Sequence, residues 1–163
     1  MTAPGHVLVR VADLSAAGGE EVLVTIGLGS CVAIILHDAE ARVGGMAHVL
    51  LPSLGLSRRD ESPAKCPQTA VPWLLERMAA LGARPRRITG RLVGGASMFA
   101  ALAPPGTINM GERNVVASRE VLRAHGVPLV GEDVGADYGR TVRFRTGDGV
   151  VEVSSVKHGI RCL

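Results

Sequence analysis

The sequence predicts an α/β sandwich in a single domain spanning residues 1–163, with mixed and antiparallel sheets packed against about two main helices. Three observations predict it. Short β-rich runs crowd both ends of the chain, two central segments carry apolar residues at helical spacing, and glycine, at 21 residues, punctuates the junctions. A chain of 163 residues buries roughly 70% of its extended-chain surface on folding, enough for a core without disulfide or metal staples.

Residues 7–11 alternate weakly and read as an edge strand, followed by a small-residue loop over 15–19. Residues 22–26 and 32–37 are β-rich runs joined through Gly27, Leu28, Gly29 and Ser30. A turn over 38–42 leads to a further strand, 43–51, ended by Pro52, and these two runs form a hairpin. Residues 53–67 are polar and carry two prolines near their end, which marks a long surface loop. Val71, Leu74, Leu75, Met78 and Leu81 then fall on one helical face, giving a helix over 68–81 that Gly82 stops. Residues 87–93 read as a strand leading into Gly94, Gly95 and Ala96. Asn109 followed by Glu112 resembles a capping box, and its helix runs to about His125, before Gly126. Strands at 127–130 and 141–145 follow. The turn at 146–149 closes a hairpin into the alternating run 150–156.

Composition narrows the function. Apolar residues make up 47% of the chain against 20% charged, a globular balance. The net charge of +3 is modest and comes mostly from arginine, spread from Arg10 to Arg161. The aromatics are Trp73, Phe99, Tyr138 and Phe144, so the chain lacks the stacking residues and dense basic stripe that nucleic-acid binding needs. Arg58, Arg59, Arg84, Arg86 and Arg87 either steer an acidic partner or form a solvated surface. Cys31, Cys66 and Cys162 cannot all pair within the chain and have no short ligand spacing, which points to reduced thiols in a cytoplasmic protein with no metal or organic cofactor. The longest apolar run, 22–36, is broken by Thr25, Gly27, Gly29 and Ser30 and falls short of the ~20 residues that span a bilayer, so membrane insertion is not expected.

Cys31 is the candidate nucleophile. A cysteine in an apolar strand ordinarily packs as a small hydrophobe, but here glycines free the backbone beside it, and N–H groups of the turn around Gly29 and Ser30 can converge on an oxyanion. A thiol near its ordinary pKa of ~8.5 is a few per cent thiolate at neutral pH, so it needs a base or cation nearby. Of five histidines, His6 sits near an end, His125 at a helix terminus, and His37 about 20 Å along the same strand from Cys31. His158 lies close to the C-terminus. His48 lies across the hairpin, where strands run ~5 Å apart, and is the natural partner.

The run from Thr25 through Ile26, Gly27, Leu28, Gly29 and Ser30 to Cys31 and Val32, followed by Gly44, Gly45, Met46, Ala47, His48, Leu51 and Pro52, closely resembles the signature of the CheD family. Gly94-Gly95-Ala96, Gly111-Glu112-Arg113-Asn114, Asp133-Val134-Gly135 and Gly139-Arg140 extend the resemblance in order over most of the chain. Ala47 stands where the family often has Asn, and Ala136 where Gly is usual.

The resemblance implies a fold related to the catalytic domain of cytotoxic necrotising factor toxins. It also implies a Cys, His and Thr site, which maps onto Cys31, His48 and Thr25. Thr25 rests on the resemblance alone, since a strand threonine ordinarily serves β propensity. The implied activity is hydrolysis of glutamine side-chain amides in methyl-accepting chemotaxis receptors, through a cysteine thioester. The implied partners are those receptors and, as an added or alternative role, a CheC-type phosphatase.

Overall fold

The computed structural model describes residues 5–53 and 62–163. Ten strands and two α-helices lie within them: β1 (His6–Leu8), β2 (Leu14–Gly18), β3 (Val22–Leu28), β4 (Val32–Asp38), β5 (Val43–Val49), α1 (Pro67–Ala80), β6 (Thr89–Gly94), α2 (Met110–Ala124), β7 (Leu129–Val134), β8 (Arg140–Arg145), β9 (Val151–Ser155) and β10 (Gly159–Cys162). One five-stranded sheet runs β1-β3-β8-β9-β10 and the other β2-β5-β4-β6-β7. The β1–β3 and β6–β7 pairs are parallel and the others antiparallel, so both sheets are mixed as expected.

The layers follow from β4, which is buried on both faces. Val32, Ile34 and Leu36 point one way and pack with Val71, Leu74 and Met78 of α1 and Val115, Val121 and Leu122 of α2. Ala33 and Ile35 point the other way and pack with Leu23 and Leu28 of β3 and with Val142 and Phe144 of β8. The period of two thus divides one apolar strand between a helix-to-sheet core and a sheet-to-sheet core. β5 divides in the same manner: Val43, Ala47 and Val49 face the helices, and Met46 faces the other sheet. At Gly44 a side chain would run into the Phe144 ring, so glycine there permits the sheets to close.

Helix α2 starts as expected, with the Asn109 side chain accepting from the Glu112 N–H at 2.9 Å. Helix α1 starts at Pro67 in the first turn. Two strands depart from expectation. Residues 14–18, overlapping the loop expected over 15–19, form β2, whose small side chains pair with β5 from Leu14↔Ala47 to Gly18↔Val43. Residues 159–162, not expected as regular structure, form the edge strand β10 against β9. Residues 87–93 also shift, as a 3-10 turn at Pro85–Arg87 precedes β6. Most of the loop expected over 53–67, with Arg58 and Arg59, lies outside the described residues.

Candidate active site

Strand β3 belongs to one sheet and β4 to the other, so residues 29–31 carry the chain across the sandwich. A bulge prepares the crossing. Thr25 pairs with Val142 and Leu28 with Arg140, so the bulged strand spends one more residue than its partner. Gly27 takes φ +75° there. The extra residue lets both Thr25 and Leu28 turn inward despite their odd spacing, and it leaves Ile26 63% exposed.

The carbonyls of the crossing are held one by one. Gly29 O accepts from the Ala96 N–H at 2.8 Å, and Cys31 O from the Gly95 N–H at 2.8 Å. Ser30 O accepts from Asn114 Nδ2 at 2.9 Å, and the same Nδ2 donates to Leu50 O at 3.1 Å. Gly94 lies so close that a Cβ would collide with the Cys31 carbonyl. Among the described residues the N–H groups of Gly29 and Ser30 donate to no protein acceptor, and that of Cys31 only to its own sulfur. The turn therefore has its acceptors satisfied and its donors committed to no acceptor outside it.

Cys31 is half-buried at the end of the sheet-to-sheet core. Burial pushes its thiol pKa up, and its own backbone N–H draws it partly back. His48 faces the same layer from β5. The register sets Ala33 opposite His48, so Cys31 is a diagonal neighbour on that face.

Across the sandwich, Thr25 Oγ1 lies 2.7 Å from His48 Nδ1 and 2.6 Å from the Val9 carbonyl. A carbonyl only accepts, so the threonine hydroxyl spends its proton on Val9 O and the imidazole donates from Nδ1. That fixes the tautomer of the neutral ring, with a lone pair on Nε2. His48 is fully buried, and Nε2 has no hydrogen-bond partner among the described residues. Burial lowers its pKa to about 4. A neutral hydroxyl at Nδ1 does not offset that cost as a carboxylate would.

The structure thus brings Thr25 onto His48 and sets Cys31 on the same face. Burial raises the thiol and lowers the imidazole, so of the base or cation that Cys31 was expected to need, the resting site offers a neutral base. The remaining histidines are occupied elsewhere. His37 Nε2 donates to Thr146 O at 2.8 Å, His125 Nδ1 donates to Val121 O, His6 sits against Arg143, and His158 lies on the Tyr138 ring.

Asn114 was legible only as part of a motif. The overlooked signal is a polar residue on the apolar face of α2, in step with Gly111, Val115, Ser118, Val121 and Leu122. Of the two readings given for Arg84, Arg86 and Arg87, their place favours the one without steering. They precede β6, whose first residues pair with the last of β4, at the opposite end of that ladder from Cys31. Arg87 is moreover tied to the buried Asp38 at 3.0 Å.

An open groove of about 320 Å³ reaches the crossing at Ser30, lined also by Met98, Phe99, Asn109 and Met110. Phe99 is 76% exposed, and Leu102 and Ile108 nearby in sequence are exposed as well. No helix among the described residues is long and apolar enough to cross a membrane.

The chain is similar to known proteins along nearly its whole length. A protein of Caldanaerobacter subterraneus subsp. tengcongensis named "Probable chemoreceptor glutamine deamidase CheD" is 40% identical over 155 residues, 95% of this chain and 96% of its own length. Proteins of the same name from Clostridium novyi, 38% identical over 97% of this chain and 98% of theirs, and, as CheD 2, from Geobacter metallireducens, 42% identical over 95% and 96%, are similar throughout. A solved Neisseria meningitidis protein of the DUF152 family shares the fold at a TM-score of 0.50 and 12% identity. The match covers 83% of this chain and 65% of that protein's length. The family described as CheD chemotactic sensory transduction matches residues 50–155, and with these whole-length relatives it shows that the chain belongs to the CheD family.

Proposed function

We propose that this chain hydrolyses the side-chain amide of glutamines in methyl-accepting chemotaxis receptors to glutamate, with Cys31 as nucleophile, His48 as general base and acid, and Thr25 as the group that orients the imidazole. The observation that carries the reading is the unpartnered, buried Nε2 of His48, whose tautomer Thr25 fixes, on the face that also holds Cys31. A buried acceptor left without a partner costs about 1–3 kcal/mol, and a base awaiting its proton accounts for that expense.

The thiol proton passes to His48 Nε2 as sulfur attacks the amide carbon, and the carbonyl electron pair moves onto oxygen. The unspent N–H groups of the turn face that developing charge. Collapse of the adduct breaks the C–N bond, and His48 returns the proton to the leaving ammonia. Water, deprotonated by His48, then cleaves the thioester to the carboxylate and the free thiol. Contact between sulfur and imidazole tightens when substrate excludes water, since an apo site often holds such pairs apart. The kinship with cytotoxic necrotising factor catalytic domains and a cytoplasmic setting belong to the same reading.

The test is incubation with receptor cytoplasmic fragments and mass spectrometry for a gain of about 1 Da at glutamine. Conversion that disappears in Cys31→Ala supports the reading, and unchanged receptor with folded wild-type protein sinks it.

A second reading rests on the exposed apolar rim of Met98, Phe99, Leu102, Ile108 and Met110 beside the groove at Ser30. It offers a docking surface for a CheC-type phosphatase, which would then cover the catalytic turn. Pull-down of such a phosphatase by Cys31→Ala protein, and its loss in Phe99→Glu, separates docking from catalysis.

A further inference from the structure

We infer that Asn114 is a positioning residue for the oxyanion site, acting through the peptide that links Ser30 to Cys31; this rests on the thiol mechanism above and deepens it. A trans peptide unit is planar, so its carbonyl and its N–H point in opposite directions. The Ser30 carbonyl and the Cys31 N–H belong to one such unit. Asn114 Nδ2 holds that carbonyl at 2.9 Å on the α2 side of the turn, which turns the Cys31 N–H away from the helix. The N–H is thereby left on the side of its own sulfur, with no other acceptor among the described residues. The preceding peptide is set by the same logic, with the Ala96 N–H on Gly29 O aiming the Ser30 N–H. A peptide free to rotate would withdraw one donor from the developing oxyanion. The Ala96 contact is a backbone bond that many side chains at 96 would allow, whereas the Asn114 contact depends on one side chain.

The chemistry of Asn114 fits this task better than simple packing. The residue is fully buried, and its second Nδ2 bond reaches Leu50 O, two residues beyond His48. One amide group therefore ties the nucleophile's turn to the strand of its base. The two carbonyl acceptors fix the orientation of the amide, because a flipped Asn114 would set its oxygen against them. Oδ1 is then left buried with no partner among the described residues. An apolar residue of the same shape would avoid that orphan but would release both carbonyls.

The test compares two reactions of Cys31 in the whole protein, each followed by mass spectrometry of the Cys31 peptide. Iodoacetamide alkylates the thiolate by direct displacement of iodide and needs no oxyanion site. p-Nitrophenyl acetate acylates it through a tetrahedral adduct, forming a C–S bond and releasing p-nitrophenolate. Asn114→Leu is expected to slow acylation about 10- to 100-fold, less than the roughly 10²- to 10³-fold cost of deleting an oxyanion donor because the N–H stays and only its aim is lost, while alkylation and its pH profile stay within about threefold of wild type. Asn114→Ser, which keeps one donor in a smaller side chain, is expected to show a smaller loss of the same kind and serves if the leucine variant does not fold. A ratio of acylation to alkylation unchanged in both variants overturns the inference, as does a parallel fall of both rates. Receptor deamidation by the wild type is scored separately: its absence would sink the proposed activity, and its persistence at full rate in Asn114→Leu would sink this role alone.

Discussion

The molecule holds two buried histidines on neighbouring strands, His37 at the end of β4 and His48 near the end of β5, and their surroundings differ in one decisive respect. His37 is finished in the sense that no buried ring nitrogen is left without a partner among the described residues: Nε2 donates to Thr146 O, and the ring meets Phe144 edge to face at 5.5 Å between centroids. Beside it the buried Asp38 carboxylate is also finished, held by Arg87, the Arg84 N–H and the Ala41 N–H, which keep its pKa low despite burial. His48 is half finished, with Nδ1 anchored and Nε2 bare. Most buried groups close their hydrogen bonds, and the nitrogen that His48 leaves open lies on the face that holds Cys31, where a base would use it.

The largest expected effect separates the two histidines by substitution. His48→Asn keeps a donor for Thr25 and removes only the Nε2 base, so deamidation in a receptor assay should fall about 10²- to 10⁴-fold while the melting temperature changes little. His37→Asn should do the reverse, costing about 1–3 kcal/mol in urea unfolding and leaving kcat within about twofold. Equal losses of activity in the two variants would dissolve the contrast.

How much of this was legible beforehand depends on whether the information is local. The β4–β5 hairpin followed from β-rich runs and the turn between them, which placed Cys31 at the start of one strand and His48 in its partner, while their shared face came from the register. Helices α1 and α2 followed from their apolar stripes and stops. Strand β2 did not, because Leu14, Ser15, Ala16, Ala17 and Gly18 have little β propensity and pair only because β5 offers an edge. Strand β10, exposed along its length, shows no alternation to read. The bond between Thr25 and His48 crosses from one sheet to the other, 23 residues apart, after a bulge shifts the strand's facing. No short-range pattern encodes that, and Thr25 came from resemblance alone. The charge state of the pair was left open between base and cation for a related reason, since it depends on burial that the local pattern does not fix.

The next contrast is in acid. His48 has an ordinary pKa of 6.5 when unfolded and about 4 when folded, so between these values the unfolded chain binds a proton that the folded chain refuses. Its contribution is complete above pH 6.5 and is lost as pH falls toward 4, by at most about 3 kcal/mol. Urea unfolding of wild type and His48→Asn at pH 7 and pH 4.5 should show the wild type losing more stability, and parallel curves would contradict a neutral, buried His48.

The smallest effect concerns Thr25, and it tests whether the open nitrogen of His48 is held open by its neighbour. Thr25→Val keeps the shape of the side chain and deletes one hydroxyl. The loss strands two groups at once, the Val9 carbonyl and the His48 Nδ1–H, and it frees the ring to turn or change tautomer. A neutral hydrogen bond is worth about 0.5–1.5 kcal/mol, so kcat should fall about tenfold or less. That is far below the loss on removing the base itself, and KM should hold steady because the hydroxyl is buried away from substrate. Thr25→Ser restores the hydroxyl without the methyl and should recover most of the rate. Recovery in serine but not in valine assigns the effect to the hydrogen bond, whereas equal rates in both would mean that packing alone keeps His48 Nε2 pointed at its task.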